Sequence, residues 1–128
     1  MPDTAKDEIK ELLARYEQAL NSGDAALAAS LYTGDGVFMP TQLPTAAGEG
    51  LREAYGRIFS TISLDVSFTV DELVTAWDGI AYGLTSSQGT QTLLETGATS
   101  AEANREIFIF RHESDGWKIA RYMFNKPE

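Results

Sequence analysis

The hydrophobic period of this chain changes once, after residue 62, from 3.6 to 2. Before that point apolar residues recur at helical spacing, and Ile9, Leu12, Leu13, Tyr16 and Leu20 share one face. Beyond it Leu64, Val66, Phe68 and Val70 alternate with Asp65, Ser67, Thr69 and Asp71, the pattern of a half-buried strand. Three helices followed by hairpin-joined strands predict an α+β fold with an antiparallel sheet.

Local signals divide the two halves. Thr4 with Asp7 makes a capping-box-like start to the first helix, and Asn21-Ser22-Gly23 ends it. Asp24 can cap a shorter second helix whose Leu27, Ala28 and Leu31 face inward. Thr33-Gly34-Asp35-Gly36 reads as a turn, and Val37-Phe38-Met39 as a short strand stopped by Pro40. Residues 40–50 hold two prolines and two glycines and read as a loop long enough to form a lid or rim. Leu51, Tyr55, Ile58, Phe59 and Ile62 mark a third helix, slightly weakened by Gly56. Turn signals at Asp78-Gly79, at 97–101 and at Ser114-Asp115-Gly116 separate strands over 80–94, 102–112 and 117–125. No repeat or low-complexity linker interrupts the chain, so residues 1–128 read as one domain.

Charge and composition exclude whole classes of function. Ten basic against 19 acidic residues leave a net charge of −9, which repels nucleic acid and anionic membranes. Without cysteine there is no disulfide, thiol nucleophile or cysteine-ligated metal, and one histidine cannot build a multi-histidine site. No glycine-rich phosphate loop or serine elbow suggests a cofactor or a nucleophile. The start, Met1 to Glu8, is polar and acidic, and no apolar run approaches the ~20 residues of a membrane span, so a cytoplasmic protein is expected.

The last two strands are apolar on both faces. Ile107 and Ile109 point one way and Phe108 and Phe110 the other, while Trp117, Ile119 and Met123 alternate with Ala120, Tyr122 and Phe124. Helices can cover one face; the other needs a cover, and a homodimer through the sheet is the simplest. Strong local twist burying both faces is the alternative.

From Tyr16 through Gly23-Asp24, Leu31-Tyr32 and Val37-Phe38-Met39-Pro40 to Asn104-Arg105-Glu106-Ile107-Phe108 and Asp115-Gly116-Trp117-Lys118-Ile119, the chain resembles the nuclear transport factor 2-like superfamily. Within it, the resemblance is to SnoaL-like small proteins, which include polyketide cyclases, ketosteroid isomerases and uncharacterised bacterial members. It implies a cone: a curved, mixed to antiparallel sheet wrapped over three helices, with a pocket at the open end, usually dimeric. By the isomerase pattern, Tyr16 stands where a tyrosine donates to a developing enolate, and Glu106 where a second acid stays protonated. Met39 occupies the position of the proton-moving aspartate, and methionine cannot take a proton.

The residues also have plainer readings. Glu106 can pair with Arg121 on the next strand instead of serving as an acid, and Tyr16 can be an ordinary core tyrosine. Arg105 can hold a ligand's anionic or carbonyl group or sit on a dimer interface, and Asn125 can place an amide near the same end. Phe38, Met39, Tyr55, Phe59, Trp77, Tyr82 and Phe108 supply apolar wall candidates. His112, Asp65, Asp71 and Glu72 read as solvated or interface residues. The expected function is binding of a small, largely apolar carbonyl compound, with acid–base chemistry of isomerase, cyclase or dehydratase type left open. The alternatives are a non-catalytic dimeric binding module and an interaction protein whose cone is filled.

Overall fold

The computed structural model describes residues 4–127. Its elements are α1 (Thr4–Ser22), α2 (Ala25–Ser30), β1 (Tyr32–Met39), β2 (Ala46–Ala47), α3 (Gly50–Thr61), β3 (Ile62–Trp77), β4 (Ile80–Leu93), β5 (Thr99–Glu113) and β6 (Gly116–Asn125). The six strands form one sheet in the order β2-β1-β6-β5-β4-β3. All neighbouring pairs are antiparallel except β1 with β6, which run parallel, so the sheet is mixed. The expected α+β architecture, helices on one face of a curved sheet, is present.

Several local expectations meet their physical cause. The Asp24 carboxylate accepts from the Leu27 N–H at 3.0 Å and starts α2. Gly79 takes a φ of 73° in the β3–β4 hairpin, a conformation open to glycine at no steric cost. The polar start, Met1 to Asp3, lies outside the described residues. Thr33 to Gly36 proves to be part of β1, which pairs with β6 at Tyr32, slips, and pairs again from Val37. The loop over 40–50 holds the two-residue strand β2, added antiparallel to β1.

Alternation along β6 breaks at Ala120. Phe110 pairs with Ile119 and Ile109 with Arg121, which leaves Ala120 as an extra residue in a bulge. Both Ile119 and Tyr122 therefore reach the buried face, whereas strict period-2 counting separates them.

The helices do more than cover the sheet. Strand β3 is an edge, and α1 satisfies part of it from the side. The Asn21 amide donates to the Val66 carbonyl at 2.8 Å and accepts from the Val66 N–H at 2.9 Å. The Glu17 carboxylate accepts from the Phe68 N–H at 2.8 Å. An otherwise open edge is thereby paired, and α1 is pinned across the mouth of the curve.

The core is a column of nearly parallel aromatic rings. Tyr55, Phe38, Tyr122, Phe108 and Phe110 stack in sequence, with centroid spacings of 4.8, 5.4, 4.1 and 5.4 Å. They come from α3, β1, β6 and β5, so the column ties helices to sheet. Tyr16 meets Tyr55, Phe108 and Tyr122 edge-on, the arrangement that sets a ring's positive rim against a negative face.

Candidate functional site

A chamber of about 210 Å³ lies between α1, α3 and the sheet. Tyr16, Phe38, Tyr55 and Tyr122 form part of its wall, and Ser87, Asn104, Glu102 and Lys126 form a polar side. The cone is not filled to its rim.

Three tyrosine hydroxyls are joined. Tyr16 and Tyr32 each lie 2.6 Å from the Tyr55 hydroxyl. Two hydrogen bonds use two of the three protons, and in each pair either hydroxyl can be the donor. The Tyr32 end is buried outside the chamber wall; Tyr16 borders the chamber. Directed from Tyr32 through Tyr55, the chain leaves the Tyr16 proton to give to a ligand. Burial pushes all three phenols up, together with Tyr122, so they stay protonated donors across the ordinary pH range. At Tyr16 that rise is offset in part by hydrogen bonds from Tyr55, Tyr32 and Tyr122, and reinforced by the charge of Glu106.

The polar side is built by register. Strand pairing sets Thr85 opposite Glu106 and Ser87 opposite Asn104. The Thr85 and Ser87 hydroxyls donate to the two Glu106 carboxylate oxygens, each at 2.5 Å. The Asn104 amide donates to Ser87 at 3.3 Å and to Glu102 at 3.0 Å, and the Lys126 ammonium donates to Glu102 at 2.5 Å. A continuous polar line thus runs from Lys126 at the rim to buried Glu106. The amide oxygen of Asn104 is buried and has no hydrogen-bond partner among the described residues.

Glu106 sits behind Ser87 rather than in the wall. Burial is the main cause pushing its carboxyl up, aided by the charges of Asp71 and Glu102; the two hydroxyl donors pull it back. The sign for stability follows. The folded state holds the proton longer than the unfolded chain, whose glutamate titrates near 4.3. The contribution is therefore full below that value and is lost as pH rises through the raised folded pKa. Urea melts at pH 4 and pH 7 should show a smaller fall in stability for Glu106→Gln than for the native chain. An equal fall in both would remove Glu106 as the cause.

The structure divides the sequence candidates sharply. Tyr16, Phe38 and Tyr55 line the chamber, and Glu106 and Phe108 lie just beneath it. Phe59 packs between Tyr55 and the α1–α2 turn, near Gly23, and is no part of the wall. Met39, Tyr82, Arg105 and Asn125 belong to the outer face, because each alternates with an inward residue: Phe38, Ala81, Glu106 and Phe124. Arg105 donates to Asn125 there at 2.9 Å. Trp77 is exposed beside Tyr82 at the hairpin end. The expected Glu106–Arg121 pair does not form, since Arg121 faces outward and donates to the Asp35 carbonyl. His112 packs against Trp117. Sequence reading missed Ser87, Asn104, Glu102 and Lys126; the signal was Thr85 and Ser87 falling on the inward phase of β4.

A family model described as the SnoaL-like domain matches residues 4–123. Among solved structures, the chain is similar to a ketosteroid isomerase-like protein from Erwinia carotovora atroseptica. Identity is 29%, the TM-score is 0.92, and the match covers 100% of this chain and 99% of that one. A conserved protein from Planctomyces limnophilus is 24% identical, with a TM-score of 0.84 and coverage of 97% and 98%. A nuclear transport factor 2-like superfamily protein from Salmonella enterica is 20% identical, with a TM-score of 0.84 and coverage of 98% and 92%. The fold is thus nuclear transport factor 2-like. A search of curated proteins finds no match.

Proposed function

This chain belongs to the SnoaL-like domain family, and from that premise we propose that its chamber binds a small, largely apolar carbonyl compound and moves a proton on it. The observation that carries this is the Tyr32–Tyr55–Tyr16 hydroxyl chain ending at the chamber. A carbonyl oxygen accepts from Tyr16, and the two tyrosines behind it spread the negative charge that develops on enolisation. Such donors are already oriented when charge appears, which is how preorganised hydrogen bonds stabilise an oxyanion. Glu106 acts through the Ser87 hydroxyl, which borders the chamber and donates to it. Burial raises its pKa, which suits a group that takes up and returns a proton. Met39 faces outward, so no base comes from that position, and Glu102 is a carboxylate of the chamber wall. A cytoplasmic location is part of the same reading.

The experiment is proton NMR of acetophenone with the protein in D2O. Saturable binding with exchange of the methyl hydrogens above background supports the reading. Binding without exchange favours the non-catalytic alternative, for which the absence of a base at Met39 speaks. No binding overturns both.

The same proposal has two copies joined through the outer face. Leu84, Ile107, Ile109 and Met123 stand side by side there across β4, β5 and β6, each 38–43% exposed. Such adjacent apolar side chains mark an interaction surface. Sedimentation should give a dimer, and Ile107→Glu should give a folded monomer with unchanged circular dichroism. A monomeric native chain would remove this part of the proposal.

A further inference from the structure

A second cavity, about 530 Å³, lies between α3 and the segment over 40–47. It adjoins the chamber. Pro40, Leu43, Ile58 and Ile62 line both. Leu43 borders both and is 53% exposed, next to Gln42, whose φ of 61° is in the left-handed region.

Size decides how the two should be read. Sites for drug-sized ligands run to about 300–1,000 Å³. The chamber alone, at about 210 Å³, falls short, whereas the two cavities together lie within that range. The outer one is long rather than deep. Gly50, Ala54, Arg57 and Thr61 place it along a single stripe of α3, roughly 17 Å from end to end at ~1.5 Å per residue. Small residues keep it open: Gly50 and Ala54 on the helix, Ala46 and Ala47 on β2. Its two charged residues, Glu53 and Arg57, are bound to each other and exposed, so neither calls for a charged ligand group.

We propose that the chamber and the groove are one site for an elongated amphiphile. Its carbonyl head enters the chamber and its neutral aliphatic tail crosses Leu43 to lie along α3. The head is recognised by the Tyr16 donor, whose residue lines the chamber. The tail contributes affinity by burial alone. This rests on the carbonyl-binding reading above and names the class of molecule that reading leaves open.

Calorimetric titration with acetophenone and its para-alkyl homologues, methyl to octyl, tests it. Affinity should rise about fourfold per added methylene until the groove is full. Ala54→Trp should abolish that increment and leave acetophenone itself unchanged. Ala47→Phe, on the opposite wall, should do the same and serves if the first variant does not fold. Acetophenone binding with no gain along the series would overturn the elongated site while leaving the carbonyl reading intact. A gain that survives both substitutions would place the tail elsewhere and overturn it too. No binding by any member would overturn both readings together.

Discussion

Gly89→Ala should severely destabilise the fold. A Cβ at Gly89 would lie 1.9 Å from the Asp65 carbonyl oxygen and 2.8 Å from the Val66 Cα, both backbone atoms of β3. No rotamer change relieves a clash with backbone, so β3 and β4 must part where Gly89 pairs with Val66. The same stretch of β3 is held from the other side by Asn21, which bonds both polar groups of Val66. The strain therefore has nowhere to spread. A loss above about 4 kcal/mol is expected, in the small class of severe single substitutions, against a total stability of about 5–15 kcal/mol. Gly56→Ala supplies the contrast. Gly56 lies inside α3 with nothing within 4 Å of an added Cβ, so it should gain about 0.5–1 kcal/mol. Thermal melts of both variants check this. If Gly89→Ala melted within a few degrees of the native protein, β3 and β4 could not approach as described.

The second large effect is on binding and exchange. Tyr16→Phe keeps the edge-on ring and removes the hydroxyl proposed to meet the ligand. Loss of one preorganised donor to an oxyanion costs about 10²–10³ in rate, and the acetophenone exchange rate should fall by that order. Tyr55→Phe tests the chain behind it. It removes both 2.6 Å bonds at once and takes from the buried Tyr32 hydroxyl its nearest partner. That costs about 1–3 kcal/mol of stability, with a smaller loss at Tyr16, which the chamber can solvate. Tyr32→Phe removes only the far end of the chain and should be the milder variant on both counts. If Tyr32→Phe proved as damaging as Tyr55→Phe, the three hydroxyls would not act as a directed chain. If Tyr16→Phe left exchange unchanged, the chamber chemistry would lie elsewhere.

Much of the architecture was legible because it rests on local periodicity. Apolar spacing located three helices and four long strands, and Asp24, Gly79 and Pro40 punctuated them for reasons that need no tertiary contact. The site was legible in part. Tyr16 and Glu106 were singled out, but as two points on separate elements. Their actual partners, Tyr55, Tyr32, Thr85 and Ser87, come from 16 to 39 residues away in the chain. Five wall candidates, Met39, Trp77, Tyr82, Arg105 and Asn125, fell on the outer face. Being aromatic, flexible or polar does not tell a residue which side of a sheet it is on.

The amino-acid sequence by itself determined the class of fold, the order of its elements and the two-faced apolar character of the last strands. Those properties follow from side-chain period and turn chemistry, which act over a few residues. Only the tertiary structure decided which phase of each strand faces inward. That parity is set by strand register, and one bulge at Ala120 is enough to reverse it. It also decided that the fold holds a chamber with a groove beside it. A cavity is the space left between elements, and no single element's sequence carries its shape.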